Sequence, residues 1–215
     1  MRIVLLGAPG SGKGTQAKLI CESLKISHIS TGDIFRDNIY KNTMLGIQAE
    51  SYINKGELVP DEITVAAVKN RLSKDDCQRG FLLDGFPRNI NQAGNLSRML
   101  GERNQHIDAV FLMEASKQLI LDRLTARRYC SKCGTVYNNK FNPSKVPGIC
   151  DNCGDNLVQR EDDKEEVILE RLAIHNKTIK PLVDLYSTLG ILYKVEVSNN
   201  IEEVFYRISN TLKAV

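Results

Sequence analysis

At 215 residues, 42% hydrophobic and 26% charged, the chain suits one main globular domain with room for insertions. Its formal charge of +3 is mild, with no basic block and no apolar run approaching the roughly eighteen residues of a membrane span, which argues against a nucleic-acid binder and a membrane protein. The apolar N-terminal run breaks into glycines instead of a signal-peptide cleavage site, so a cytoplasmic protein is expected, and among its six cysteines metal binding is favoured over disulfides.

Residues 3–6, Ile-Val-Leu-Leu, have the unbroken apolar pattern of a strand buried on both faces of a parallel sheet. The chain then turns through Gly7, Pro9, Gly10, Gly12 and Gly14 into a helix-like run over 15–24. Gly7, Gly12 and Lys13 fit the phosphate-loop spacing G-x-x-x-x-G-K between strand and helix. Glycines let successive N–H groups turn toward a phosphate chain without a Cβ in the way. The helix N-terminus adds positive potential, and Lys13 reaches the terminal phosphates. Gly14 stands where Ser or Thr is usual, with Thr15 one place later, which weakens the case for a hydroxyl ligand to the metal. A glycine turn that binds nothing is the competing reading, but strand, spacing, lysine and helix all agree against it.

Residues 26–29 read as a second strand or a sheet edge. Ser30-Thr31-Gly32-Asp33 caps a stretch of helical spacing that reaches Lys55 and ends at Gly56, and Pro60-Asp61 starts the next helix. Residues 30–59 therefore read as a helical insertion. Residues 81–84 form another buried strand, ended by Gly85-Phe86-Pro87-Arg88, followed by a helix from about 89 to 100, a strand over 109–113 and a helix capped by Ser116. This alternation predicts an α/β fold: a P-loop-type parallel sheet with helices on both faces. Helical periodicity stops over 126–163, where Gly, Pro, Asn and Cys take over and no regular structure is expected beyond what the cysteines organise. A long helix resumes near Lys164, with Pro181 as a kink or restart; a last strand over 191–197 and a helix over 201–212 follow.

Cys130-x-x-Cys133 and Cys150-x-x-Cys153 are separated by sixteen residues, the spacing of a four-thiolate zinc site. Four thiolates leave no open position, so the metal is expected to be structural. Two disulfides or four idle thiols are the alternative. Cys21 lies at helical spacing with Ala17, Ile20 and Leu24 and reads as core filler, while Cys77 has no evident role. Asp84 ends a strand near the loop mouth, where a carboxylate holds Mg²⁺, usually through water; a plain cap is the alternative. Arg36, Arg88, Arg123, Arg127, Arg160 and Arg171 flank strands, caps and the cysteine segment, with Arg123 and Arg127 expected on one helix face at i and i+4. Each alone would be a solvated charge; together they suit the bidentate phosphate binding that phosphoryl transfer depends on.

Residues 7–16 (GAPGSGKGTQ), 30–36 (STGDIFR), 58–62 (LVPDE) and above all 80–88 (GFLLDGFPR) resemble the adenylate kinases of the long bacterial type, whose lid carries a four-cysteine zinc site. The resemblance covers nearly the whole chain, and the Gly14-Thr15 departure is usual in that family. It implies ATP + AMP ⇌ 2 ADP with Mg²⁺ and one structural Zn²⁺, the chain acting on ATP, AMP and ADP; from the composition neither nucleic acid nor membrane is expected, and with nothing to suggest an obligate dimer a monomer is expected. It also implies catalytic roles for Lys13, Asp84, Arg88, Arg127, Arg160 and Arg171. ATP would lie on Gly10, Ser11, Gly12, Lys13, Gly14 and Thr15, against Arg123 and Arg127, under Val136 and Tyr137. AMP would lie on Thr31, Arg36, Glu57, Leu58, Val59, Gly85, Phe86, Pro87, Arg88, Gln92, Arg160 and Arg171. The implied units are a core of 1–29, 60–125 and 164–215, an NMP-binding insertion of 30–59 and a lid of 126–163. Another monophosphate kinase, or a nucleic-acid-binding zinc ribbon joined to an ATPase, are the rival readings. The latter lacks the basic block expected of a nucleic-acid binder.

Overall fold

The computed structural model describes residues 1–214, and its first strand is β1 (Arg2–Gly7). Strands β2 (Ser27–Ser30), β3 (Phe81–Asp84), β4 (Ala109–Glu114) and β8 (Leu192–Glu196) join it in one parallel sheet, in the order β2-β3-β1-β4-β8. No polar alternation marks β1 because both its faces are covered. Val4 and Leu6 point into a core with Leu83, Val110 and Leu112, closed by helices α4 (Asp61–Leu72), α5 (Ile90–Gly101) and α7 (Glu165–Thr188). Ile3 and Leu5 point the other way, to Leu82, Phe111 and Met113 under helices α1 (Lys13–Leu24) and α8 (Ile201–Leu212). Cys21 fills this second core. Cys77 belongs to the first and accepts from Arg71 Nη1 at 2.9 Å, the role its sequence position left unassigned.

Three segments differ from expectation. The helical stretch 34–55 is two helices, α2 (Thr31–Tyr40) and α3 (Met44–Lys55), because Asn42 takes a left-handed φ of 50° and Thr43 Oγ1 caps α3 by accepting from Gly46 N at 3.1 Å. Pro181 does not restart a helix, because α7 runs through it. Residues 126–163 do contain regular structure: β5 (Arg127–Cys130), β6 (Val136–Asn138) and β7 (Leu157–Val158) form an antiparallel sheet in the order β6-β5-β7. Strands of two to four residues are too short to leave a periodicity.

That sheet also corrects the pairing of Arg123 with Arg127 on one helix. Helix α6 (Lys117–Thr125) ends before Arg127, which instead opens β5 opposite Asn138. The Asn138 amide donates to Arg123 O at 2.9 Å and Asn139 N to Ala126 O at 2.9 Å. The hairpin thus takes up carbonyls at the end of the helix and terminates it. Among the described residues no helix is long and apolar enough to cross a membrane.

Since all five strands are parallel, their C-terminal ends share one edge, where α/β sheets bind ligands. Gly7, Ser30, Asp84 and Glu114 all end strands at that edge.

Candidate active site

The loop after β1 holds Gly10 and Gly12 at φ 79° and 95°, conformations that L side chains rarely adopt. Gly12 is the residue before α1, so the loop delivers the first N–H groups of that helix to one point. Lys13 Nζ donates to Gly7 O and Ala8 O, both at 2.8 Å, and lies over the loop. Asp84 Oδ2 lies 3.5 Å from where a Cβ on Gly14 would sit, so the carboxylate and the loop share one mouth. The carboxylate's other neighbour is His28 Nε2 at 3.8 Å. Thr15 is exposed, whereas Ser11 is buried with an unpaired hydroxyl.

A second cleft opens beside the loop, lined by Thr31, Arg36, Glu57, Leu58, Val59, Gly85, Arg88, Gln92 and Arg171. Thr31 Oγ1 and Arg88 Nε both donate to Gly85 O at 2.9 Å, which binds the start of α2 to the turn after β3. Phe86 and Pro87 do not line the cleft: both are buried, Phe86 in the core under the sheet. Arg88 projects into the cleft with its side chain still open to solvent, and partial desolvation with the charge of Arg171 lowers its pKa to about 10. At neutral pH it stays charged.

Arg127 and Arg171 converge on two acids that nothing in the sequence singled out. Asp162 and Asp163 are buried in a short 3₁₀ turn between the cysteine segment and α7. Arg127 donates to Asp163 through both Nε and Nη2, while Arg171 Nη1 lies 2.9 Å from Asp162 Oδ2 and 3.5 Å from Asp163 Oδ1. Burial opposes the charge on Asp162, yet Arg171, Arg127, Arg36 and Arg160 together hold its carboxyl below the usual range. Arg160 stacks its guanidinium 5.2 Å from the Tyr129 ring centre, and burial with Arg36 and Arg127 nearby presses its pKa down to about 9. Its Nε has no partner, nor does Nη1 of Arg123, whose Nη2 donates to Ser198 O at 2.8 Å. Unpaired donors and surplus positive charge suit a polyanionic ligand.

Cys130, Cys133, Cys150 and Cys153 bring their four sulfurs within 4.8 Å of one another. Tetrahedral bonds of about 2.3 Å to zinc put thiolates about 3.8 Å apart, so the cluster fits one ion. At 3.4 Å and 3.5 Å, the pairs Cys130–Cys153 and Cys133–Cys150 lie beyond the roughly 2.05 Å of a disulfide. The two knuckles are built alike: Gly134 N donates to Cys130 O and Gly154 N to Cys150 O, each at 2.9 Å. Tyr137 is buried against this cluster, its hydroxyl 3.6 Å from Cys150 Sγ, while Val136 stays exposed. Of these two, only Val136 presents its side chain outward.

The adenylate kinase family model matches residues 5–191. An adenylate kinase of Clostridium novyi (strain NT) is 50% identical over 213 residues, covering 99% of each chain. One from Clostridium tetani (strain Massachusetts / E88) is 50% identical over 215 residues, covering 100% of both. A third, from Clostridium botulinum (strain Hall / ATCC 3502 / NCTC 13319 / Type A), is 52% identical over 99% of this chain and 98% of its own. A phosphate loop, a second cleft beside it, arginines gathered between the two and whole-length similarity lead to one conclusion: this chain belongs to the adenylate kinase family.

Proposed function

We infer that the protein transfers a phosphoryl group reversibly between ATP and AMP, giving two ADP, with Mg²⁺ on ATP. The convergence of Lys13, Arg88, Arg127 and Arg171 between the loop and the neighbouring cleft carries this reading. ATP lies along Gly10–Thr15 with Arg123 and Arg127 beside it, and AMP occupies the cleft lined by Thr31, Arg36, Gln92 and Arg171. Such a transfer needs alignment and charge neutralisation more than covalent chemistry. Asp84 would hold Mg²⁺, whose charge would neutralise the ATP phosphates. Lys13 and the arginines meet the charge that spreads over the transferring group.

Two flaps, 30–59 and 126–163, close over the nucleotides and exclude water, which would otherwise take the phosphoryl group. Lid closure in adenylate kinase is a standard example of such gating. The four cysteines hold one structural Zn²⁺ that keeps the lid folded, and the protein acts on free nucleotides as a monomer. ADP formation from ATP with AMP, GMP, CMP or UMP tests the whole reading. AMP is expected to give the highest kcat/KM, and a preference for another acceptor overturns the assignment.

Two further outcomes follow. Zinc-finger peptides gain about 10–16 kcal/mol from their metal at pH 7. Stripping the ion should therefore lower Tm by about 20 °C or more, at about 2–4 °C per kcal/mol for a chain this long, while leaving residual turnover. Calorimetry with and without chelator checks this. Burial presses the Lys13 pKa down to about 8; Asp84 offsets this in part, while Arg88, Arg171 and Arg127 add to it. Phosphate oxygens favour the ammonium form, so ATP binding raises that pKa. Below pH 8 lysine is already charged and no proton is needed; above it, binding takes one up. ATP affinity should fall as pH rises past 8, with proton uptake visible as a buffer-dependent heat of binding.

A further inference from the structure

Gln92 is 1% exposed, yet it lines the second cleft, and its side-chain amide is held at both ends. Oε1 accepts from the Arg88 backbone N–H at 2.8 Å, and Nε2 donates to Asp61 Oδ1 at 2.7 Å. A carboxylate accepts and a peptide N–H donates, so these partners admit one orientation of the amide. Flipping it would set oxygen against carboxylate and NH₂ against N–H. Asp61 is itself fixed. Asn89 Nδ2 donates to the same oxygen at 3.0 Å, and Asn91 Nδ2 to the other at 2.7 Å. Asn89 Oδ1 meanwhile accepts from Gln92 N at 2.8 Å, so a closed ring of bonds ties the first residue of α4 to the first turn of α5.

Each end of the Gln92 amide retains one valence, a second hydrogen on Nε2 and a second lone pair on Oε1. A donor and an acceptor thus stand side by side in fixed order. Adenine presents an acceptor at N1 beside a donor at its 6-amino group, whereas hypoxanthine reverses that order with N1–H beside O6. A freely turning amide would serve both bases. We propose that Asp61 is a positioning residue that sets base specificity: by locking the Gln92 amide in one orientation, it makes the cleft accept 6-aminopurine monophosphates and refuse 6-oxopurine ones. This rests on the cleft being the AMP subsite.

The test is kcat/KM with MgATP as donor and either AMP or inosine monophosphate as acceptor, for the wild type, Asp61→Asn and Gln92→Ala. A polar edge left unpaired in a buried site gives strong discrimination, so the wild type should prefer AMP by about a hundredfold or more. Asp61→Asn should lower that ratio about tenfold, with the KM for ATP unchanged, and Gln92→Ala should lower it at least as far. A structural role alone would depress Tm, or kcat for both acceptors alike, and an unaltered ratio overturns the proposal. If Gln92→Ala loses the preference while Asp61→Asn keeps it, the lock is wrong but the AMP subsite stands. If Gln92→Ala keeps it, the subsite reading falls and the lock with it. Should Asp61→Asn fail to fold, NMR of the Gln92 side-chain amide in the wild type decides. A side-chain N–H protected from exchange supports the lock, and an unprotected one overturns it.

Discussion

Replacing Arg88 by alanine is expected to lower kcat by about 10³-fold or more in a chain that still folds, and Lys13→Met should do the same. Neither side chain supports the core. Arg88 projects into the cleft and makes one side-chain hydrogen bond, to Gly85 O, while Lys13 bonds only loop carbonyls. Each is nevertheless held in a crowded positive field that folding alone would not favour, and a phosphate chain is the ligand that relieves it. The loss should appear in kcat more than in KM for ATP, because the charge that these groups meet develops during transfer. Circular dichroism and single-turnover rates check both halves. Wild-type turnover in either variant would remove that residue from the mechanism.

The second large effect concerns stability. Asp163 is 0% exposed and bonds Arg127 through both carboxylate oxygens, with Arg171 at 3.5 Å from one of them. Asp163→Asn leaves a largely buried guanidinium without its counter-charge, among Arg36, Arg160 and Arg171. Breaking a buried pair from one side typically costs about 3–5 kcal/mol. For a chain of this length that is a fall in Tm of about 6–20 °C. Nucleotide should narrow the gap, since phosphates supply the missing negative charge where the acid stood. Thermal melts of both proteins, with and without ATP and AMP, test this. An unchanged Tm would mean that the arginines do not depend on the acid, and a gap that nucleotide leaves intact would mean that they do not face phosphate.

The sequence made most of the frame legible, for identifiable reasons. Buried parallel strands are continuous apolar runs, and β1, β3 and β4 were found within a residue of their observed bounds. Caps were equally readable: Ser116 accepts from Leu119 N and Ser30 from Asp33 N, as helix-starting residues do. The cysteine spacing gave the four-sulfur cluster because tight knuckles need only local chemistry. What failed was tertiary. Arg127 looked helical because its i−4 neighbour is Arg123; only the pairing of β5 with Asn138, eleven residues on, takes it out of the helix. The pairing of Asp163 with Arg127 spans thirty-six residues, and a neighbouring acid pair in sequence looks like solvated charge until burial is known. Asp61 was noted only as a helix start, since its hold on Gln92 crosses thirty-one residues.

A crystal structure with two adenosines joined through five phosphates would test the central claim most directly. The account expects one adenosine over the Gly10–Thr15 loop and the other against Gln92, with Lys13, Arg88 and Arg127 donating to the phosphates between them. A complex in which Arg88 and Arg127 stay clear of that phosphate chain would contradict it.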